Sequence, residues 1–274
     1  MRPALPLLLV LPAALPAALH AQRWGGDERV ERDAFTWDGT VPAGGRVTVR
    51  NLNGGVRVEP SPDGQVHVTA TRRSRGEVDP RQVRFVALRA DDGRGVVVCA
   101  LWGEDAECDA SGQYRGGRTS GNSWRRGSVS AEFTVRVPRT VRLDLATTNG
   151  GIDVRGAGGE LMAATTNGGI SVEGGSGPVR AHTTNGGVDV RLTALGEGRD
   201  FDLATTNGGI TLEVPPSLGA DVEMSTTNGR VETDFPVTVQ GRIDPRRLNV
   251  RLGDGSRRVR LRTTNGSVEL RRGR

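Results

Sequence analysis

The sequence predicts an all-β protein, and more narrowly a parallel β-solenoid in which the chain winds into stacked coils of about 20 residues. The first observation behind this prediction is a repeated phrase. Thr-Thr-Asn-Gly occurs six times in the 274-residue chain, and a looser copy, Asn-Leu-Asn-Gly, occupies residues 51–54. The second is its spacing, because successive asparagines of the six exact copies lie 18, 18, 22, 21 and 37 residues apart. The exact copies are residues 147–150, 165–168, 183–186, 205–208, 226–229 and 263–266.

Aliphatic side chains alternate with polar or small ones on both sides of each repeat, which is the third observation. In the first exact copy Leu143 and Leu145 precede the asparagine, and Ile152 and Val154 follow it. A period of two is typical of a β-strand with one buried face, so each coil is predicted to be a strand, an Asn-Gly corner and a second strand. The predicted core comprises Leu143, Leu145, Ile152, Val154, Leu161, Ile170, Val172, Val179, Val188, Val190, Phe201, Leu203, Ile210, Leu212, Val222 and Val268.

The Asn-Gly corner is predicted to set the geometry of each coil. Asn-Gly readily adopts positive φ at both central positions of a tight turn, so we expect positive φ at all six repeat glycines. Stacked coils would place equivalent asparagines about 4.8 Å apart, which is close enough for an amide ladder. The predicted turn residues are Asn149, Gly150, Asn167, Gly168, Asn185, Gly186, Asn207, Gly208, Asn228, Gly229, Asn265 and Gly266. We expect the first five of these asparagines to lie directly above one another, and Asn265 to be displaced by the insertion before it.

The repeat segments also carry a resemblance to a known family. LDLATTNGGIDV, LMAATTNGGISV, VRAHTTNGGVDV and VRLRTTNGSVEL, behind an N-terminal secretion signal, resemble the bacterial putative-adhesin family of unknown function. They are also similar to the related head domain of putative auto-transporter adhesins. The resemblance covers about residues 41–270 and is strongest from Val137 onward. The resemblance implies a parallel β-solenoid located in the cell envelope, and it supplies no catalytic residue to carry over.

Residues 1–21 are predicted to be a signal peptide. Arg2 precedes an apolar run over residues 4–19, and Leu-His-Ala at residues 19–21 has the small-residue ending of a cleavage site. Because the run is short and interrupted by prolines, we expect no transmembrane segment after cleavage. The protein is therefore expected to be exported, to the periplasm or the cell surface.

The mature chain is predicted to have two continuous regions. Residues 22–137 are expected to form an irregular N-terminal β region, and residues 138–274 the regular repeat solenoid. A stretch rich in Gly, Ser, Asp and Arg over residues 103–127 is predicted to be a long polar loop. A shorter insertion over residues 237–254 accounts for the 37-residue interval.

Cys99 and Cys108 are the only two cysteines of the chain. In an exported protein this pair predicts one structural disulfide. Only His67 and His182 remain after signal cleavage, and their positions lack the spacing of metal ligands. We therefore expect no metal and no cofactor.

The function predicted from these features is that of an exported, non-enzymatic scaffold of the bacterial cell envelope, with an adhesin-like or interaction role. Its partner is expected to be a protein or glycan of the cell surface, and the sequence leaves the oligomeric state open. Nucleic acid is not expected despite a pI of about 10.6, because arginines and acids are interspersed along the chain.

Two alternatives stay open. One is a polysaccharide-active enzyme of the parallel β-helix type, with Asp153 and Asp189 as its carboxylate pair; these lie two coils apart, or about 9.6 Å. The other is binding of a flat ligand by an outward threonine ladder. The ladder residues are Thr148, Thr166, Thr184, Thr206, Thr227 and Thr264.

Overall fold

The computed structural model describes residues 28–30, 34–116, 127–196, 200–237 and 244–273. We call these ranges the described part of the chain. The predicted signal peptide and residues 117–126 of the predicted polar loop lie outside the described residues.

The described part consists of β-strands and one short 3-10 helix at Pro80–Gln82. In chain order the strands are β1 (Glu28–Val30), β2 (Phe35–Gly39), β3 (Arg46–Arg50), β4 (Val56–Pro60), β5 (Val66–Gly76), β6 (Val83–Arg89), β7 (Val96–Trp102), β8 (Glu107–Cys108), β9 (Tyr114–Arg115), β10 (Gly127–Val137), β11 (Arg142–Ala146), β12 (Ile152–Arg155), β13 (Leu161–Asn167), β14 (Ile170–Gly175), β15 (Val179–Asn185), β16 (Val188–Leu192), β17 (Asp200–Asn207), β18 (Ile210–Val214), β19 (Ala220–Asn228), β20 (Val231–Thr233), β21 (Arg247–Leu252), β22 (Arg257–Asn265) and β23 (Val268–Arg272).

Two long sheets contain all of these strands except the β8–β9 hairpin. The first sheet has the order β1-β5-β10-β4-β12-β14-β16-β18-β23-β20, with β2 also paired to β5, and the second has the order β21-β19-β22-β17-β15-β13-β11-β3-β7-β6. Pairing is parallel through the middle of both sheets, while β5, β6 and β21 pair antiparallel near their ends. The predicted all-β class, with long sheets of parallel strands, is confirmed.

The aliphatic columns of the sequence coincide with the register of the sheets. Leu143 pairs with Leu161 and Leu161 with Val179 in the second sheet, as Ile152 pairs with Ile170 in the first. Every residue of the predicted core is buried, with at most 3% of its surface exposed. Burial of such a side chain contributes about 1.5–3 kcal/mol to the free energy of folding. The side chains packed between the two sheets therefore stabilise the whole stack.

The final strands enter the stack out of chain order. β22 lies between β17 and β19, and β23 lies between β18 and β20. Consequently Asn265 stands beside Asn207 and Asn228 beside Asn265, so the prediction that Asn228 stacks on Asn207 is wrong. Every coil presents the same columns, and therefore the pattern does not determine which coil lies next to which. The outer edge of β19 is covered by antiparallel β21, which belongs to the predicted insertion.

The structure describes residues 103–116 of the predicted polar loop. β8 and β9 form a hairpin there, and the Cys99–Cys108 disulfide joins it to β7, as the sequence predicts. Trp102 ends β7 and is buried, and its backbone N–H donates to the Tyr114 hydroxyl at 3.2 Å. Trp102 is therefore part of the core, and the partly buried Tyr114 packs against it.

Candidate functional site

The first threonine of each repeat is a buried hydrogen-bond donor. Thr165 Oγ1 donates to the carbonyl oxygen of Gly150 at 2.9 Å, and Thr183 Oγ1 donates to that of Gly168 at 2.8 Å. The same bond recurs at Thr147, Thr205, Thr226 and Thr263. This threonine links each coil to its neighbour, a role that its sequence position does not indicate.

The repeat asparagines form the expected amide ladder. Asn167 Nδ2 donates to Asn149 Oδ1 at 2.8 Å, and Asn185 Nδ2 donates to Asn167 Oδ1 at the same distance. The ladder continues in the order of the stack and includes the early copy at its start. Its members in that order are Asn53, Asn149, Asn167, Asn185, Asn207, Asn265 and Asn228.

The first glycine of each repeat is required by the neighbouring coil at all six corners, and its own φ favours glycine at only three of them. Among the six exact copies a positive φ occurs at Gly186, Gly208 and Gly266 only, and no other residue type has one in the described part, so the prediction of positive φ at every corner is wrong. A Cβ at Gly168, where φ is not left-handed, would lie 2.1 Å from the carbonyl oxygen of Gly150. At this corner the chain passes from one sheet to the other and does not fold back into a hairpin. The backbones of neighbouring corners therefore approach closely, and no side chain fits at the first glycine.

The second glycine of the repeat has a different environment. It forms a strip of five residues along neighbouring coils of the first sheet, which we call the glycine strip: Gly55, Gly151, Gly169, Gly187 and Gly209. A Cβ at any of the last four would meet one atom within 4 Å, a carbonyl oxygen at 3.4 Å, which is ordinary contact. None of the five has a positive φ. The strip is therefore not needed for backbone geometry.

The glycine strip lines an open groove of about 900 Å³ on the outer face of the first sheet. Beside the strip runs a polar column, one residue per coil, made of Asp153, Ser171, Asp189 and Thr211. One end of the groove is lined by β5 and β10 through Thr69, Thr71, Arg73, Glu132 and Thr134.

The two carboxylates of the enzyme hypothesis both line this groove, with Ser171 between them in the column. Asp153 is bridged to Arg57 at 3.9 Å and to Arg155 at 3.7 Å. Asp189 Oδ2 accepts from Arg191 at 3.2 Å, whereas its Oδ1 is shielded from solvent and has no hydrogen-bond partner among the described residues. One carboxylate oxygen beside the groove is therefore buried without a hydrogen bond.

Alternating charges border the polar column on its other side. Arg155 bridges to Glu173 at 3.8 Å, Glu173 to Arg191 at 3.4 Å and Arg191 to Glu213 at 3.8 Å, each pair joining neighbouring coils. Exposed ion pairs of this kind contribute little to stability. They do neutralise the border of the groove.

The threonine ladder lies on the second sheet, away from this groove. Thr166, Thr184 and Thr206 are exposed and Thr148 is half-buried. The outward column beside it begins with alanines and is interrupted by exposed His182 and Arg262. The ladder is thus single-file, with no matching second column.

One cluster of titratable groups was not predicted. His67 Nδ1 lies 2.6 Å from Asp38 Oδ1, and its Nε2 lies 3.0 Å from both carboxylate oxygens of Asp63. Hydrogen bonds to Asp63 and then to Asp38 raise the pKa of His67 above its usual value. The hydrogen bond from His67 is the main cause that holds the pKa of Asp63 well below its ordinary range. Among the described residues no group of three or more His, Cys, Asp or Glu has an arrangement suited to a metal ion.

A model of the family described as Toastrack DUF4097 matches residues 106–271, which is 166 of the 274 residues. The chain belongs to the Toastrack DUF4097 family. Membership confirms the expected relation to a family of unknown function, and the two-sheet stack with its repeat corners is the form that the Toastrack domain takes here. In the described part of this Toastrack protein, helices long and apolar enough to cross a membrane are absent.

Three solved structures match the chain at low identity. A putative cell adhesion protein from Clostridium sporogenes ATCC 15579 is 11% identical, with a TM-score of 0.45 and coverage of 88% of this chain and 99% of that chain. A putative adhesin from Bacteroides fragilis NCTC 9343 is 10% identical, with a TM-score of 0.38 and coverage of 89% and 98%. A putative adhesin from Parabacteroides distasonis ATCC 8503 is 11% identical, with a TM-score of 0.26 and coverage of 87% and 97%. No curated protein matches the chain.

Proposed function

We propose that this Toastrack protein is an exported, non-enzymatic binding scaffold of the cell envelope, with an adhesin-like or interaction role. The observation that carries the proposal is the groove of about 900 Å³ beside the glycine strip. It is open and elongated, and it repeats the same surface from coil to coil, as a site for an extended partner does.

The proposal also includes the length of each coil. We take each coil to span about 20 residues, because paired positions such as Leu143 and Leu161 lie 18 residues apart and Val179 and Phe201 lie 22 apart. A repeat of this kind builds a long surface from a short sequence unit, since each coil adds one more copy of the same outward residues.

Two features support export. Residues 1–21 have the composition of a signal peptide. The Cys99–Cys108 disulfide is of a kind that persists in oxidising compartments and is rare in the cytosol.

Attachment to cell envelopes tests the binding role. Gly187→Arg would place a long side chain in the groove, whereas Thr184→Arg places the same side chain on the exposed face of the other sheet in the same coil. Purified protein is mixed with envelopes from the producing cells and sedimented. The wild type and Thr184→Arg are expected to sediment with the envelopes, and Gly187→Arg to stay in solution. Equal sedimentation of all three proteins contradicts a role for the groove.

Polysaccharide cleavage is the second candidate, because Asp153 and Asp189 both line the groove. It is tested by incubating the protein with polysaccharides and measuring new reducing ends. A scaffold releases none. Release that is abolished by Asp189→Asn, with binding retained, would replace the scaffold proposal with an enzyme.

A further inference from the structure

The groove is kept open by residues that the fold does not require. No glycine of the strip has a positive φ, and a Cβ at Gly151, Gly169, Gly187 or Gly209 would make only ordinary contact, whereas at Gly55 it would lie 3.1 Å from Glu132 Oε2. The same column continues to Ser267 and then Arg230 in the next two coils, where side chains are present. Glycine also weakens a folded chain through its backbone entropy. Four glycines in neighbouring coils, at positions that accept side chains, therefore indicate that the space above them is used.

The length of this space is defined at both ends. Side chains of β5 and β10 line one end, and the strip gives way to Ser267 and Arg230 at the other. The five glycines span four coil steps, which is about 19 Å at about 4.8 Å per step. An occupant that runs along the stack would contact each of the five coils once.

The charges of the groove favour a neutral occupant. Its charged lining residues are two arginines and three acids: Arg57, Arg73, Glu132, Asp153 and Asp189. Asp153 is bridged to Arg57, and Glu132 accepts the backbone N–H of Gly55 at 2.9 Å. With the charges balanced to within one, neither a polyanion nor a polycation gains a large electrostatic attraction.

The spacing of polar groups distinguishes a glycan from a peptide. Over four of the five coils the polar column offers one hydroxyl or carboxylate per coil, about every 4.8 Å. A sugar ring with its linkage has a comparable length. An extended peptide repeats its side chains on one face about every 6.6 Å and would lose register with the coils. The hydroxyls of Ser171 and Thr211 line the groove, so they can bond to sugar hydroxyls.

From these observations we infer that the groove binds a neutral, unbranched polysaccharide that lies along the stack with about one sugar per coil. The glycine strip provides a flat peptide surface for the faces of the rings. The polar column bonds to hydroxyls along one edge of the chain of sugars. This inference rests on the proposed binding role of the groove and specifies its ligand.

Oligosaccharide titration tests the ligand class. Cello-, manno-, laminari-, malto- and chito-oligosaccharides, each from disaccharide to octasaccharide, are titrated by calorimetry into the full mature protein. At least one series is expected to bind, with affinity rising with length up to about five sugars, the number of coils in the strip. Gly169→Arg is expected to lower that affinity by about tenfold or more, and Gly169→Ser by less, because serine is tolerated in the same column.

Thr166→Arg serves as the matched control, since it adds the same side chain to the exposed face of the other sheet. It should leave the affinity unchanged. Circular dichroism melts of each variant show that it is folded, and Gly169→Ser keeps the test valid if Gly169→Arg does not fold.

Three results overturn the inference: no series binds the folded wild type, binding is the same in the groove variants, or polygalacturonate or polylysine binds more tightly than every neutral series. If envelope attachment still depends on Gly187 while no neutral series binds, the ligand class is wrong and the binding role stands. If neither depends on the groove, both proposals fail.

Discussion

Each residue of the repeated tetrapeptide meets a different neighbour in the adjacent coil. In the coil of Asn167, Thr165 donates to a backbone carbonyl, Thr166 faces solvent, Asn167 continues the amide ladder and Gly168 packs on backbone. The sequence predicts the ladder and the need for the first glycine. It does not reveal the role of the first threonine or the true reason for the glycine, because both depend on atoms of a coil that is distant along the chain.

Adjacent glycines should differ sharply in their tolerance of a methyl group. Gly168→Ala places Cβ 2.1 Å from a backbone oxygen, whereas Gly169→Ala places it at 3.4 Å from one. We expect the first change to lower the free energy of unfolding by about 3 kcal/mol or more, because backbone must shift, and the second by less than about 1 kcal/mol. Urea melts measure both values. Similar losses would mean that close backbone approach is not what requires the first glycine.

A second pair of neighbouring residues tests the inward and outward assignment. Ile170 is buried between the sheets, while Ser171 faces the groove. Ile170→Ala is expected to cost about 2–4 kcal/mol of unfolding free energy, and Ser171→Ala less than about 0.5 kcal/mol. Denaturant unfolding of the two variants provides the measurement, and equal effects would contradict the assignment.

The His67 cluster should make stability depend on pH. The raised pKa of His67 means that its contribution is fully present below the unfolded-state pKa of about 6.5 and is lost as pH rises through the folded-state value. The groups around it are Asp38 on β2, Asp63 in the turn before β5, and Arg136 opposite it on β10. The difference in melting temperature between wild type and His67→Gln should therefore shrink from about pH 6 to about pH 9.

The exposed residue His182 provides the control for this measurement, because it lies on the other sheet. His182→Gln removes a histidine outside the cluster, so a pH dependence that changes only in His67→Gln is due to the cluster. Parallel curves for wild type and His67→Gln would show that the cluster contributes nothing that titrates in this window.

At the scale of the element, the β8–β9 hairpin shows where pattern reasoning is insufficient. Its strands have two residues each and no aliphatic alternation, so the sequence gives no strand signal. The turn between them is organised by Asp109, whose carboxylate accepts the backbone N–H groups of Ser111 and Gln113. The disulfide then fixes the hairpin on β7. Hydrogen bonds of the Asp109 carboxylate and the disulfide therefore hold the hairpin, which has no alternating aliphatic residues.

Removal of this disulfide should loosen the hairpin and destabilise the domain. The bridged cysteines are nine residues apart, and closure of so short a loop is worth about 2–3 kcal/mol in the chain-entropy model. The double variant Cys99→Ala with Cys108→Ala is expected to lose about that much in urea unfolding. Thiol titration of the denatured, unreduced wild type should find no free sulfhydryl. Two free thiols per chain would refute the disulfide.

At the scale of the whole molecule, the columns predict two stacked sheets but not the order of the coils. Val222 and Phe201 occupy the same column as Val259, so any of the three strands could lie beside any other. The sequence also does not show how the stack ends. The antiparallel strands β6 and β21 close the second sheet at its two ends and leave no parallel edge strand there.

Engineered cross-links can verify the order of the last coils. Asp202 pairs with Arg260, and Arg260 pairs with Glu223, so Asp202 and Glu223 are two strands apart. Adjacent strands bring Cα atoms within reach of a disulfide, whereas two strand steps of about 9.6 Å do not. Asp202→Cys with Arg260→Cys should cross-link upon oxidation, and Asp202→Cys with Glu223→Cys should not. Non-reducing electrophoresis after limited proteolysis distinguishes the two, and the opposite result would restore the chain order of the coils.

The place of β22 and β23 in the stack has a consequence for how the protein is made. Ribosomes and secretion channels deliver a chain from its first residue to its last, but these strands belong between partners that have already emerged. Until they arrive, the edges of β17 and β18 can pair with β19 and β20, which carry the same columns, or with another polypeptide. A prematurely terminated chain would keep these edges unpaired or wrongly paired, and such chains are prone to aggregate. The domain can therefore reach its native strand order only after its last two strands have been synthesised.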